Sequence, residues 1–140
     1  MQKIVARFIA APKKLFLLDS IGAFITAFFL IAILNPLEAY FGMSPRILTS
    51  LSAIAIAFCI YSICCFLLLK ENYIPFLRII SIANFFYACL TFSLVIQTFS
   101  SLTILGINYF ILEILIVLVL VFIEYKTLSG LQKKHKKSFL

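Results

Sequence analysis

The chain has 140 residues, of which 64% are hydrophobic and only 12% are charged. So little polar surface cannot coat a water-soluble globule of this size, and the composition predicts an integral membrane protein of one domain. The formal net charge of +7 would suit a nucleic-acid binder, but the basic residues are distributed in the way that sets membrane topology, and no nucleic-acid partner is expected.

The first 14 residues predict a short amphipathic helix that lies in the plane of the lipid headgroups. Ile4, Val5, Phe8 and Ile9 are separated by basic side chains and followed by Pro12. The apolar run that follows is about 20 residues, longer than the apolar core of a signal peptide, and no small-residue cleavage site follows it. We therefore expect residues 1–14 to be retained as an interfacial segment.

Four apolar stretches are long enough to cross a bilayer as helices, since about 20 residues span the hydrocarbon. The predicted spans are residues 15–34, 47–69, 75–97 and 102–124, followed by a basic tail at 126–140. Ser44-Pro45 is a typical helix start, with the serine at the N-cap and the proline in the first turn. The predicted fold is an all-α bundle of four transmembrane helices.

The distribution of basic residues predicts the orientation. Four spans place both termini and the middle loop on one side, and all of the 12 Lys and Arg residues except Arg46 lie there. By the positive-inside rule, both termini are cytoplasmic and the protein lies in the inner (plasma) membrane of the cell. The tail lysines are also expected to contact anionic lipid; they are Lys133, Lys134, Lys136 and Lys137.

Glu113 lies at the middle of the fourth span, where an ionisable side chain costs about 2.5–3.5 kcal/mol on insertion scales. Such a group should face the protein interior, bind a partner or be protonated. Four other side chains are candidates for this intramembrane polar site because they lie at similar depth or on the same helix face: Asn84, Tyr61, Ser62 and Tyr109. A satisfied structural contact and a functional group are equally consistent with the sequence.

Three charged residues are expected at one level nearer the cytoplasm, namely Asp19, Arg78 and Glu124. Their matched depth and opposite charges suggest an ion network, with Asp19 and Arg78 as a direct pair. A structural or snorkelling role is the simpler interpretation of all three.

The remaining chemistry-bearing residues indicate no enzyme and no cofactor. The four cysteines, Cys59, Cys64, Cys65 and Cys89, all lie in spans without a C-x-x-C pair, and the single histidine, His135, is in the tail. The sequence favours a non-enzymatic accessory or scaffold subunit that binds another membrane protein or a second copy. One alternative is a small oligomeric transporter or binder that uses Glu113 and Asp19 for a proton, a cation or an amphipathic ligand. The other is a pore-forming protein, whose helices would need a more polar face than these sequences offer.

Overall fold

The computed structural model describes residues 1–140, and every regular element in it is helical. The helices are α1 (Gln2–Ala10), α2 (Lys13–Phe28), α3 (Glu38–Phe41), α4 (Pro45–Leu68), α5 (Tyr73–Gln97) and α6 (Ile104–Ser138). A π-helical turn, Phe29–Leu34, continues α2 up to the Asn35-Pro36 break. The prediction of an all-α fold is confirmed.

Four helices are long and apolar enough to cross a membrane: Lys13–Leu34, Pro45–Leu68, Tyr73–Gln97 and Ile104–Ser138. They overlap the four predicted spans. The last one differs, because α6 does not end near Glu124 but continues as helix through the segment predicted as a basic tail. At 1.5 Å per residue its 35 residues extend about 52 Å, well beyond the roughly 30 Å of hydrocarbon in a bilayer.

The long helices associate as two antiparallel pairs, with α2 packed along α4 and α5 packed along α6. Contact across the pairs, between α4 and α5 and between α2 and α6, is much sparser. We call the end that holds α1 and the α4–α5 turn the terminal end, and the end that holds α3 and the α5–α6 turn the loop end.

Two hydrophobic clusters fill the interior, one at each end. The cluster at the terminal end includes Leu15, Leu77 and Leu128, whereas the cluster at the loop end includes Leu34 and Phe110. Large apolar side chains also cover the outside of the bundle: Phe24, Phe86 and Ile116 are each more than 60% exposed. An exterior of this kind suits contact with lipid tails rather than with water.

The loop end is held together where α3 contacts the start of α6. The backbone N–H of Thr103 donates to the carbonyl of Phe41 at 3.2 Å, and the Thr103 hydroxyl accepts from the N–H of Gly106 at 3.1 Å as a helix cap. Gly42 ends α3 with φ +80°, a conformation that glycine adopts without strain. In contrast, Ser44 occupies the N-cap of α4, as predicted, but its side chain makes no capping hydrogen bond.

At the terminal end, α1 lies against the extended part of α6. Ile9 of α1 contacts α6 at Gly130, so closely that a Cβ on Gly130 would lie 2.3 Å from the Ile9 side chain. Val5, Phe8 and Ile9 are half-buried, whereas Lys3, Ile4 and Arg7 are exposed. Three of the four apolar side chains predicted for one face are therefore partly covered, but Ile4 is exposed together with the basic side chains.

Candidate functional site

Four buried polar side chains, one from each long helix, meet between the two hydrophobic clusters. We call Asp19, Ser62, Asn84 and Glu124 the carboxyl–amide cluster. The amide Nδ2 of Asn84 donates to Asp19 Oδ1 at 2.7 Å and to Glu124 Oε1 at 3.2 Å. The hydroxyl of Ser62 donates to Asp19 Oδ2 in a short hydrogen bond. One side chain of α5 therefore links carboxyl groups of α2 and α6, and α4 joins through Ser62.

Small residues around Asp19 and Ser62 allow this approach. Ser52, Ala55 and Ser62 recur along the face of α4 that α2 contacts, and all three are buried. Ser52 also donates to the carbonyl of Ala27 at 3.3 Å, which ties the same two helices together farther along. These small residues bring the backbones of α2 and α4 close enough for short polar side chains to meet.

Arg78 lies outside the cluster. It is exposed on α5, whereas both oxygens of Asp19 accept from Ser62 and Asn84. The expected ion network of Asp19, Arg78 and Glu124 is thus replaced by a carboxyl–amide arrangement that contains no cation. The reason is rotation about the helix axis: Asn84 and Arg78 both belong to α5, but only Asn84 lies on the face that α6 and α2 share.

Glu113 belongs to a separate contact deeper in the bundle, which we call the Tyr87–Glu113 pair. The Tyr87 hydroxyl donates to Glu113 Oε1 at 2.7 Å, and both side chains are buried. Asn84 and Ser62, predicted as partners of Glu113, bind Asp19 instead.

The two other predicted members of the Glu113 site are engaged elsewhere. Tyr61 donates to the backbone carbonyl of Phe76 at 3.1 Å and so joins α4 to α5. Tyr109 is stacked among aromatic rings, with Phe110 at 5.2 Å and Phe41 at 6.1 Å between ring centroids. Neither tyrosine makes a hydrogen bond to the Glu113 carboxyl group, whose partner is Tyr87.

Four buried side-chain oxygens have no hydrogen-bond partner within the chain: Glu113 Oε2, Glu124 Oε2, Thr91 Oγ1 and Thr127 Oγ1. Each carboxyl group of α6 therefore uses one oxygen in a contact between helices and leaves the other free. The candidate sites predicted from the sequence do not include Tyr87, Thr91 or Thr127. Tyr87 follows Asn84 by three residues and Thr91 follows Tyr87 by four, and this helical spacing is the signal that points to them.

A small cavity of about 60 Å³ lies between the four long helices, beside the carboxyl–amide cluster. Asp19 and Asn84 line one part of it and Tyr87 another, whereas the rest is lined by apolar or small side chains. Gly22 also lines the cavity and is exposed, so the cavity approaches the outer surface where α2 and α6 have little contact.

The possible metal ligands of the chain do not cluster. No three His, Cys, Asp or Glu side chains are grouped as a metal site requires, and all four cysteines are unpaired. What the carboxyl–amide cluster offers chemically is hydrogen bonding and the gain or loss of protons.

No protein-family model, no curated protein and no solved structure matches the chain.

Proposed function

We propose that the protein is a non-enzymatic accessory or scaffold subunit of the inner (plasma) membrane, with both termini in the cytoplasm. One observation carries the proposal: the polar groups of the interior are used to join helices, and the space beside them is only about 60 Å³. The partner is another membrane protein or a second copy of the chain.

The size of the cavity favours this function over substrate binding. A water molecule occupies about 30 Å³ in the liquid, so the cavity has room for a few water molecules at most. Small-molecule sites usually enclose roughly 300–1,000 Å³. Hydrogen bonds such as those from Ser62, Asn84 and Tyr87 act in membranes chiefly as contacts that specify which helix faces meet.

Ion flux through reconstituted protein tests this proposal, with variants of Asp19 and Glu113 as probes. Proteoliposomes loaded with pH-, Na⁺- or K⁺-sensitive dyes should show no flux above that of protein-free vesicles.

In native membranes, the chain should migrate as an assembly larger than the purified monomer. Asp19→Asn and Glu113→Gln should leave the size of this assembly unchanged, because each substitution preserves the shape of the side chain. A flux that Asp19→Asn abolishes, or migration of the native chain as a monomer, would contradict the scaffold function.

A second candidate is a small transporter or binder for a proton, a cation or an amphipathic ligand. The observation that favours it is the position of Asp19, which shares the amide of Asn84 with Glu124 and also lines the cavity near the sparse α2–α6 seam. Two carboxyl groups so placed, with no cation in contact, form a site at which a proton can be held and released.

The flux assay separates the two candidates when it includes a matched control. Transport requires that Asp19→Asn and Glu124→Gln each stop the flux, whereas Glu71→Gln, which removes an exposed carboxylate at the terminal end, leaves it intact. Equal flux in all three variants would exclude a role for the cluster in transport.

A further inference from the structure

The junction of α1 and α2 forms a notch that none of the predicted sites includes. The helical path is interrupted at Ala11, which has φ −139° and ψ 74°, and α2 then begins at Lys13. The angle between the helices leaves a concave space of about 530 Å³. Its lining consists of Ile4, Arg7, Phe8, Ala10, Ala11 and Lys14.

The charge of this notch is entirely positive. Arg7 lies in the last turn of α1 and Lys14 in the first turn of α2, and both are exposed. Neither α1 nor the first turn of α2 contains an acidic residue, and the nearest one along the chain, Asp19, is buried and accepts hydrogen bonds from Ser62 and Asn84. Arg7 and Lys14 therefore have no counterion on the helices that form the notch.

The other side chains of the notch are apolar. Phe8 packs against the hydrophobic cluster that contains Leu15 and Phe16, and Ile4 remains exposed beside it. The notch lies at the start of Lys13–Leu34, a helix long enough to cross a membrane, so it is placed where hydrocarbon gives way to headgroups. The cationic groups of Arg7 and Lys14 complement the phosphate of a lipid, and the apolar side chains beside them complement its acyl chains.

We propose that this notch binds one anionic phospholipid, with the phosphate between Arg7 and Lys14 and the upper acyl chain against Ile4 and Phe8. The guanidinium group presents several donors in a plane, which suits a phosphate better than an ammonium group does. The site is distinct from the lysines at the end of α6, and it does not depend on the proposed scaffold function.

Native mass spectrometry of the purified protein, titrated with phosphatidylglycerol or phosphatidylcholine, tests the site with a matched pair of variants. Arg7→Gln/Lys14→Gln removes the two notch charges, whereas Lys3→Gln/Lys13→Gln removes two charges from the same segments outside the notch. The notch variant should bind phosphatidylglycerol about tenfold more weakly or worse, and the control should bind it like the wild type. Equal loss in both variants, or equal binding of the two lipids by the wild type, would overturn the proposal.

Two further arms exclude simpler explanations. Inorganic phosphate at the same concentration should not displace the lipid, because it lacks the acyl chain that contacts Ile4 and Phe8; efficient displacement would indicate a site for free phosphate. A phosphatidylglycerol analogue with a photoreactive headgroup should crosslink wild-type protein at the peptide that contains Arg7 and Lys14. Because this arm uses no variant, crosslinking only to α6 refutes the site even if the Gln variants fold poorly.

Discussion

Asn84 donates both hydrogens of its amide group to carboxyl groups on two other helices. In a membrane, helices gain little from burying apolar surface against one another, because lipid tails are equally apolar. A side chain that bonds to α2 and α6 at once therefore fixes the rotation of α5 relative to both. This makes Asn84 the residue whose loss should affect packing most directly.

We expect Asn84→Leu to lower the free energy of unfolding by about 1–2 kcal/mol, since it keeps the side-chain size but leaves Asp19 and Glu124 without their shared donor. The measurement is unfolding in detergent micelles titrated with a denaturing detergent. Asn108→Leu serves as control because Asn108 is exposed on α6. If both variants unfold at the same midpoint, the shared amide does not stabilise the bundle.

The polar residues of the interior were identifiable from the sequence, but their pairing was not. Hydropathy and helix rise place Asp19, Asn84, Glu113 and Glu124 at approximate depths. They do not give the rotation of each helix or the order in which helices pack around the bundle. The sequence therefore predicted Asn84 as a partner of Glu113. In the structure, Asn84 instead donates to Asp19 and Glu124, and Tyr87 donates to Glu113.

Among the elements, α3 and the start of α6 depend on two glycines for their close approach. A Cβ on Gly106 would lie 2.1 Å from the carbonyl oxygen of Phe41, and a Cβ on Gly42 would lie 2.1 Å from that of Ser101. Both neighbours are backbone atoms, which cannot move aside as a side chain does. By contrast, a Cβ on Gly22 would meet nothing within 4 Å.

Gly106→Ala should therefore destabilise the protein by about 1–3 kcal/mol, the usual cost of forcing extra volume into packed structure. Gly22→Ala makes the same chemical change in another long helix and should be neutral or slightly stabilising, because alanine favours helix by up to about 1 kcal/mol. Thermal unfolding of both variants in the same detergent provides the measurement. An equal melting temperature for the two would show that α3 is not held against Gly106.

The ends of a helix could be predicted from the sequence where hydropathy changes sharply. They could not be predicted where hydropathy gives no such signal. The Asn35-Pro36 and Ser44-Pro45 pairs mark the end of the first long helix and the start of the second. The π-helical turn at Phe29–Leu34 has no such signal, because its residues are uniformly apolar. The continuation of α6 past Glu124 was missed because lysine-rich sequence outside the hydrocarbon is as compatible with a helix as with an extended tail.

At the scale of the whole molecule, two helix pairs enclose a polar layer that contains three carboxyl groups, those of Asp19, Glu113 and Glu124. None of the three contacts a basic side chain; their partners are Ser62, Asn84 and Tyr87. All of the basic residues except Arg46 instead lie toward the terminal end of the bundle. This separation of basic residues between the two ends predicts an orientation in the membrane that can be tested.

The topology prediction follows from that separation and uses single cysteines placed in a background that lacks Cys59, Cys64, Cys65 and Cys89. Labels at Glu38→Cys and Ser100→Cys should react with a membrane-impermeant maleimide on intact cells, because they lie at the loop end. Labels at Asn72→Cys and Ser138→Cys should react only after lysis. All four positions are exposed in the structure, so burial does not explain a missing signal.

The physical reason is the cost of moving basic side chains across the bilayer. The terminal end carries Lys3, Lys13, Lys70 and the lysines that close α6, whereas the loop end carries only Arg46. Retention of this positive charge on the cytoplasmic side predicts one orientation rather than a mixture. Labelling of Asn72→Cys from outside intact cells would reverse the assignment. Partial labelling of Asn72→Cys and Ser100→Cys together would reveal insertion in both orientations, which the single basic residue at the loop end argues against.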